Sequence, residues 1–351
     1  HGIYIHLCSY VNRIYNNTVK NNVEAGIQIY HSTVLGSIDN NKIYNSGTHG
    51  IAVADSSVVK GLIKSNLIET AGENGIYMIT SSLASITNNT LNNVKGVGIY
   101  LNDKTKMLDV ISNVISINKE ADGFGIKVIA NSAIRNIQKN TIKGKMVYGI
   151  RIMGIANNIN ISSNNISTTN ASKKSFSPIY VIGNDSKKYT IKKNVVTGNK
   201  TNYGIRVVKG KADVLDNTIK KTTYPIYIET NKSAVKIKGN TVSGNSNNLV
   251  KTPKYKFNVN NMKISKIAAQ KGAKIKLDYK SSNKIDKFEI YQSTSKNGTY
   301  KKVKTLADKS YTTKKLTAKK KYFYKVCGYT KDGKITLYTN YSAIKSTMAK
   351  K

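Results

Sequence analysis

Ten positions of this 351-residue chain share one place in a recurring four-residue pattern, and their side chains can do recognition chemistry. The pattern is Gly-Ile-x-Val or a close variant, with proline for glycine at Pro178 and Pro225. Its third residue is, in order, Tyr4, Gln28, Ala52, Tyr77, Tyr100, Lys127, Arg151, Tyr180, Arg206 and Tyr227. Five of these ten are tyrosine, and two are arginine in a chain whose other arginines are Arg13 and Arg135. Tyrosine faces can stack on sugar rings, and arginine forks bind carboxylate or sulfate bidentately. Tyr77, Tyr100, Tyr180 and Arg206 are therefore candidate substrate-binding residues for an acidic glycan. The competing reading is an exposed aromatic ladder, because tyrosine favours strands and like residues stack well in solenoids.

Five residues after successive glycines come His31, Asp55, Thr80 and Asp103. If each repeat is one coil, Asp55 and Asp103 are two coils apart, with backbones roughly 9.6 Å apart. Carboxylates about 6.5 to 9.5 Å apart suit inverting glycoside hydrolysis. Lyase chemistry would instead need a uronate carboxylate neutralised by arginine or a cation, together with a base. Lys127, Arg151 and Tyr100 are available for that. The candidate catalytic set is thus Asp55, Asp103, Lys127 and Arg151. The alternative for both aspartates is a turn role at strand ends, and His49 is likewise read as a turn residue.

The elements that would position these residues follow from the repeat. A second mark, Asn-x-(Val/Ile/Leu), begins at Asn17, Asn41, Asn66, Asn89, Asn113, Asn140, Asn164, Asn194, Asn217 and Asn240. Steps of about 23 to 25 residues with short apolar alternations and no helical period imply stacked β-coils. In each strand the first and third apolar residues, such as Ile150 and Ile152, point inward and the one between them points outward. Glycine is expected to supply a tight bend between coils, and asparagine to supply left-handed turn positions. A longer coil carries an insertion around Asn170 to Ser177. About ten coils fill residues 1 to 250, a solenoid about 48 Å long.

Formal net charge is +39, which favours an acidic polysaccharide or anionic wall polymer as partner; A/T-rich codon usage is a competing source of the lysines. Cys8 and Cys327 lie at opposite ends and show no metal or redox spacing, so no disulfide, metal site or cofactor is identified from the residues. No apolar run reaches the roughly 18 residues of a membrane span, and no signal peptide is present. The chain starts inside a repeat at His1, so it is read as the C-terminal part of a longer protein. No nucleic-acid module is recognisable, which leaves single-stranded nucleic acid a weaker match to the stripe than glycan.

Near Thr252-Pro253 the marks stop. Residues 251 to 351 hold 27 lysines, no arginine and five acids, a charge of +22. Strand-like runs appear at 274–279, 287–292, 300–305, 321–329 and 334–338, separated by turn signals such as Asn297-Gly298 and Asp332-Gly333.

Two resemblances come from these marks. Coil length with the Gly-Ile-x-Val and Asn-x-Ile marks resembles the right-handed parallel β-helix proteins of the pectate-lyase-like superfamily. That family includes lyases, polygalacturonases, alginate epimerases, tailspikes and adhesins. The resemblance implies a secreted or cell-surface protein that binds, and in the catalytic members cleaves or epimerises, an acidic polysaccharide; calcium enters only through it. Against catalysis, the sheet face has no acidic cluster, Asp-Pro-His-Glu is absent, and Gly47-Thr-His-Gly50 lacks the Asn-Thr-Asp and Asp-Asp partners of polygalacturonases. A non-catalytic surface protein or adhesin is the alternative. The run from Leu316 to Val326, with Tyr322 at the corner position, resembles strand F of fibronectin type III domains. It implies a β-sandwich in which Leu277 or Tyr279 fills the place of the missing tryptophan. The expected fold is all-β: a right-handed parallel β-helix at 1–250, followed by a fibronectin type III-like β-sandwich at 251–351.

Overall fold

Isoleucine and valine recur on one side of each short strand, and in the computed structural model these sides turn inward to make one continuous core. The structure describes residues 1–7, 10–119, 123–169 and 177–351, apart from the Lys200 side chain. Cys8 and most of the insertion between Asn170 and Ser177 lie outside the described residues; Cys327 is buried and unbridged. The described chain is all strand and turn, and about ten coils wind as a right-handed parallel β-helix. A typical coil gives three strands, for example Phe124–Val128, Asn136–Gln138 and Thr141–Lys145. Each strand pairs in parallel with its counterpart one coil away, so the solenoid has three faces.

The register is set residue on residue. Ile126 pairs with Ile150 and Ile150 with Ile179, and all three are fully buried. The inward ladders from Ile27 and Ile29 to Ile226 and Ile228 belong to one apolar cluster, with Ile3 and Ile5 packed against its first coil. Burying each such side chain contributes about 1.5 to 3 kcal/mol, which favours this register over a one-residue slip that would expose every ladder.

Two turn features differ from the sequence expectation. The repeating glycines do not adopt left-handed backbone; they are needed because coils approach closely. A Cβ on Gly149 would overlap Ile166 Cγ2 and stand 2.8 Å from the Pro178 carbonyl oxygen of the next coil. The marked asparagines do not take the left-handed conformation either. The residue before each does so, as at Asn40 (φ 55°), Ser112 (φ 58°) and Lys139 (φ 55°). That turn drives the marked asparagine inward, where it is buried. Asn140 Nδ2 donates to Asn164 Oδ1 (3.0 Å) and to the Val110 carbonyl (2.9 Å). Its own Oδ1 accepts from the backbone N and Nδ2 of Asn113, both at 3.0 Å. The same pattern runs from Asn17 to Asn240.

Beyond residue 250 the strands become antiparallel. Lys263–Gln270, Lys274–Lys280 and Ser310–Thr312 form one three-stranded sheet. Lys287–Ser293 pairs with Lys301–Leu306 and with Lys321–Asp332. A second apolar cluster lies among these strands, with Leu277, Tyr279, Phe288, Ile290, Tyr322 and Tyr324 buried. Ile335–Tyr338, expected to belong to the C-terminal part alone, also pairs in parallel with Val235–Lys238 of the last coil. Ile335 and Leu337 are fully buried and extend the solenoid core by one layer. Lys256–Phe257 folds back on Val250–Lys251, and Phe257 and Val259 close the other side. Asp332 fixes this junction: its carboxylate accepts from Thr252 Oγ1 (2.6 Å), the Lys254 backbone N (2.8 Å) and Asn231 Nδ2 (2.9 Å).

Removing a ladder amide leaves buried partners unmet on both neighbouring coils. Asn140→Ala should lower unfolding free energy by about 2 to 4 kcal/mol, measurable by urea titration, whereas the exposed Asn12→Ala, at a position without positive φ, should change it little. At the junction, burial disfavours the Asp332 charge, but its hydrogen bonds prevail and hold its pKa below the ordinary carboxylate value. A depressed folded pKa stabilises above the unfolded pKa, and that contribution is lost as pH falls through the folded value. Asp332→Ala should therefore destabilise by about 1 to 3 kcal/mol at neutral pH. The gap to wild type should narrow below about pH 4 in melting curves taken across pH.

Candidate functional site

The strand register sets where the third residues of the Gly-Ile pattern stand. Tyr77 lies beside Tyr100, Tyr100 beside Lys127, Lys127 beside Arg151, Arg151 beside Tyr180, and Tyr180 beside Arg206. Tyr227 and Lys251 continue the column. All the stripe residues from Tyr77 to Tyr227 thus stand on one face in chain order, because each side chain alternates outward from an in-register strand.

A second aromatic column, not anticipated from the sequence, flanks the first. Phe124, Tyr148, Tyr203 and Tyr224 occupy the position just before the glycine or proline, a mark that was readable beside each Gly-Ile pattern. Phe124 pairs with Tyr148, and Tyr203 with Tyr224. Rings from the two columns interleave: Tyr148 stacks on Tyr180 (4.7 Å between centroids) and Tyr203 on Tyr227 (4.6 Å). Tyr77 and Tyr100 are 5.4 Å apart.

The cations lie over these rings. Lys127 Nζ is 4.3 Å from the Tyr100 centroid and 5.0 Å from that of Phe124. The Arg151 guanidinium carbon is 5.5 Å from both Phe124 and Tyr148 and 5.9 Å from Tyr180. Arg206 lies 5.1 Å from Tyr180. Such contacts hold the guanidinium planes in place at about 0.5 to 2 kcal/mol each.

The two arginines differ in charge balance. Arg206 Nε donates to Glu229 and is ion-paired with it. Burial works against the Arg206 charge, and Glu229 more than offsets that. Among the described residues Arg151 has no carboxylate partner. Its Nε is buried without a hydrogen bond, and its terminal nitrogen reaches the Met153 sulfur at 3.5 Å. A guanidinium that is fixed, ringed by aromatics and unneutralised presents its fork to an anion. Burial raises the Tyr100 and Tyr148 phenols above their ordinary value, so both are neutral hydrogen-bond donors at neutral pH rather than bases.

Asp55 and Asp103 lie three residues past their strands' stripe positions, in a turn column with Thr80 between them. Their backbones are left-handed, at φ 49° and 34°. The Thr80 hydroxyl donates to Asp103 Oδ2 at 3.1 Å, and the nearby Asp55 carboxylate raises the pKa of the Tyr30 phenol. His49 precedes Gly50; its ring lies 4.7 Å from that of Tyr77, and its Nδ1 is 3.2 Å from Asn74 Nδ2. Burial lowers the His49 pKa. A calcium ion on this face would need several oxygen ligands. Among the described residues no three His, Cys, Asp or Glu side chains converge, and Glu229 is committed to Arg206, so the stripe does not fit calcium.

Comparison with known proteins supports the fold. A family model described as a right-handed β-helix region matches residues 1–166. None of the curated proteins matches the chain. Among solved structures, a β-1,2-glucanase from Parabacteroides distasonis is similar over 26% of this chain and 13% of its own, at 21% identity and TM-score 0.23. The cell-surface-expressed chitinase ChiW from Paenibacillus sp. str. FPU-7 aligns over 98% of this chain and 24% of its own, at 11% identity and TM-score 0.19. The chain therefore spans under a quarter of the length of each.

Spectrophotometric titration should find the Tyr100 and Tyr148 phenols still protonated at a pH where exposed tyrosines ionise. Substituting Tyr100 and Tyr148 by phenylalanine should then remove only the late-titrating part of the phenolate signal, above about pH 10.

Proposed function

We propose that the solenoid binds an extended acidic polysaccharide along the face running from Tyr77 to Arg206. The observation that carries this reading is Arg151, a guanidinium without a carboxylate partner among the described residues, set against Phe124, Tyr148 and Tyr180. In this reading Arg151 takes a uronate carboxylate or a sulfate bidentately, with Lys127 beside it. Tyr77 and Tyr100 supply ring surface for the sugars on one side, and the Tyr100 phenol donates to their oxygens, whereas Tyr180, only 8% exposed between Tyr148 and Arg206, packs the cations in place instead of touching sugar. Arg206, held by Glu229, orients Tyr180 and Tyr203 rather than reading a charge. Five strand positions from Tyr77 to Tyr180 span roughly 20 Å, room for several sugar units.

The C-terminal part is proposed to be a fibronectin type III-like β-sandwich that carries the solenoid at a cell surface or outside the cell. Tyr322 supports this, because its hydroxyl accepts from the Thr317 backbone N at 3.2 Å, five residues upstream, as a corner tyrosine does. Leu277 and Tyr279, the residues expected to fill the place of the tryptophan, are both buried.

Tyr100→Ala combined with Arg151→Ala should weaken binding of polygalacturonate at least about tenfold, near 1.4 kcal/mol, with an unchanged melting curve. Lys351→Ala should leave it unchanged. Intact affinity in the double variant would reduce the stripe to a packing ladder. The same titrations, read for new reducing ends and for the absorbance of unsaturated products, decide between binding alone and turnover. Turnover lost in Asp55→Asn or Asp103→Asn would bring these carboxylates into a cleavage mechanism.

A further inference from the structure

A second concave surface lies away from the tyrosine stripe, at the corner where the Gly-Ile strands turn into the next face. Two adjoining depressions of about 420 and 470 Å³ share Ser82, Lys106 and Ala133 and cross successive coils. They run from Ser56 and Val58 to Ala156 and Asn157, four coil steps or about 19 Å. One column of the furrow is in register: Val58 pairs with Ser82, Ser82 with Lys106, and Lys106 with Ala133, so small residues flank Lys106 on either side. Lys60, Lys104, Lys106 and Arg135 stand exposed around it, and among the described residues none of the four has a carboxylate partner.

The acids close to this furrow in the chain are already engaged. Asp103 precedes Lys104 but is held by the Thr80 hydroxyl, and Asp55, before Ser56, lies beside the Tyr30 phenol, whose pKa it raises. Asp109 accepts from Asn136 Nδ2 at 2.6 Å and from Ser85. Ser81, on the furrow wall and only 6% exposed, has a buried hydroxyl with no hydrogen-bond partner. Its oxygen is closed off from solvent beneath the floor, as is that of Ser132 two coils on, so the furrow's polar contacts come from its cations.

What lines the furrow also selects among polyanions. It contains no aromatic ring, in contrast to the stripe, and so offers no platform for a sugar or a nucleobase. Small residues admit a slim chain. Three of its four cations are lysines, which bind phosphate as point charges. We propose that this furrow is a binding site for a slim, linear phosphodiester polymer with a polyol backbone, distinct from the glycan face. The phosphates lie against Lys104, Lys106, Arg135 and Lys60.

The test uses the full chain and a short oligo(glycerol phosphate), titrated calorimetrically at two salt concentrations. Lys104→Ala with Lys106→Ala should weaken binding at least about tenfold and flatten its salt dependence, because fewer counterions are released. Ser82→Leu keeps the charge and fills the floor, and should weaken it comparably. Lys314→Ala with Lys315→Ala makes the same charge change on the C-terminal part and should leave binding within about twofold. Melting curves check that each variant is folded. Equal losses from the two lysine pairs, or full binding in folded Ser82→Leu, would overturn the proposal in favour of diffuse charge. Oligo(dT) binding as tightly, with the same variant profile, would overturn it in favour of nucleic acid. Polygalacturonate binding should survive Lys104→Ala/Lys106→Ala and oligo(glycerol phosphate) binding should survive Tyr100→Ala/Arg151→Ala; loss of both ligands in either pair would show that the furrow is not a separate site.

Discussion

The structure depends on one hydrogen-bonded column: the amides of ten asparagines stacked inside the solenoid, each giving to the next coil and receiving from the one before. A buried amide tolerates no slip, since sliding one coil by a residue would strand a donor and an acceptor at about 1 to 3 kcal/mol each. Isoleucine burial supplies most of the driving force and rules out a one-residue slip, but it is forgiving of a two-residue slip, because one aliphatic contact resembles another. The amide column is therefore what fixes which residue faces which, and the order of the outer stripe is inherited from it.

That division explains what could be read in advance. The inward ladders, the coil number and the sequence of stripe neighbours were legible because periodic burial leaves a periodic trace; Ile126 over Ile150 over Ile179 is visible as spacing alone. The division of labour in the turns was not. Asn140 and Lys139 are adjacent, and which of them takes positive φ is settled by which side chain the core must receive. The junction was invisible for a different reason. Val235 pairs with Ile335 across a hundred residues, and no local pattern marks a partner that far away. Nor does composition separate Arg151 from Arg206; among the described residues, Glu229 is ion-paired with Arg206 and no carboxylate is paired with Arg151.

The tyrosine face shows how a scaffold built by repetition becomes unequal along its length. Every coil offers an outward position at the same spacing, and each change of residue there alters one step of a regular array. Gln28 and Ala52 leave the early coils smooth, whereas Phe124, Lys127, Tyr148, Arg151 and Tyr180 concentrate ring surface and charge in the middle coils. Position along the axis, rather than a shaped pocket, then determines what the surface can hold.

The strand Ile335–Tyr338 has a consequence for the molecule's neighbours as well as for its own core. A parallel sheet that simply stopped at Val235–Lys238 would expose a row of unpaired amides and carbonyls above a greasy interior, a template on which another chain could nucleate fibre growth. Here that row is taken by a strand whose far side runs antiparallel to Lys321–Asp332, so the next layer has the opposite polarity to every coil beneath it. A second solenoid cannot continue across that reversal. The same few residues that lengthen the core by one layer also terminate polymerisation at this end.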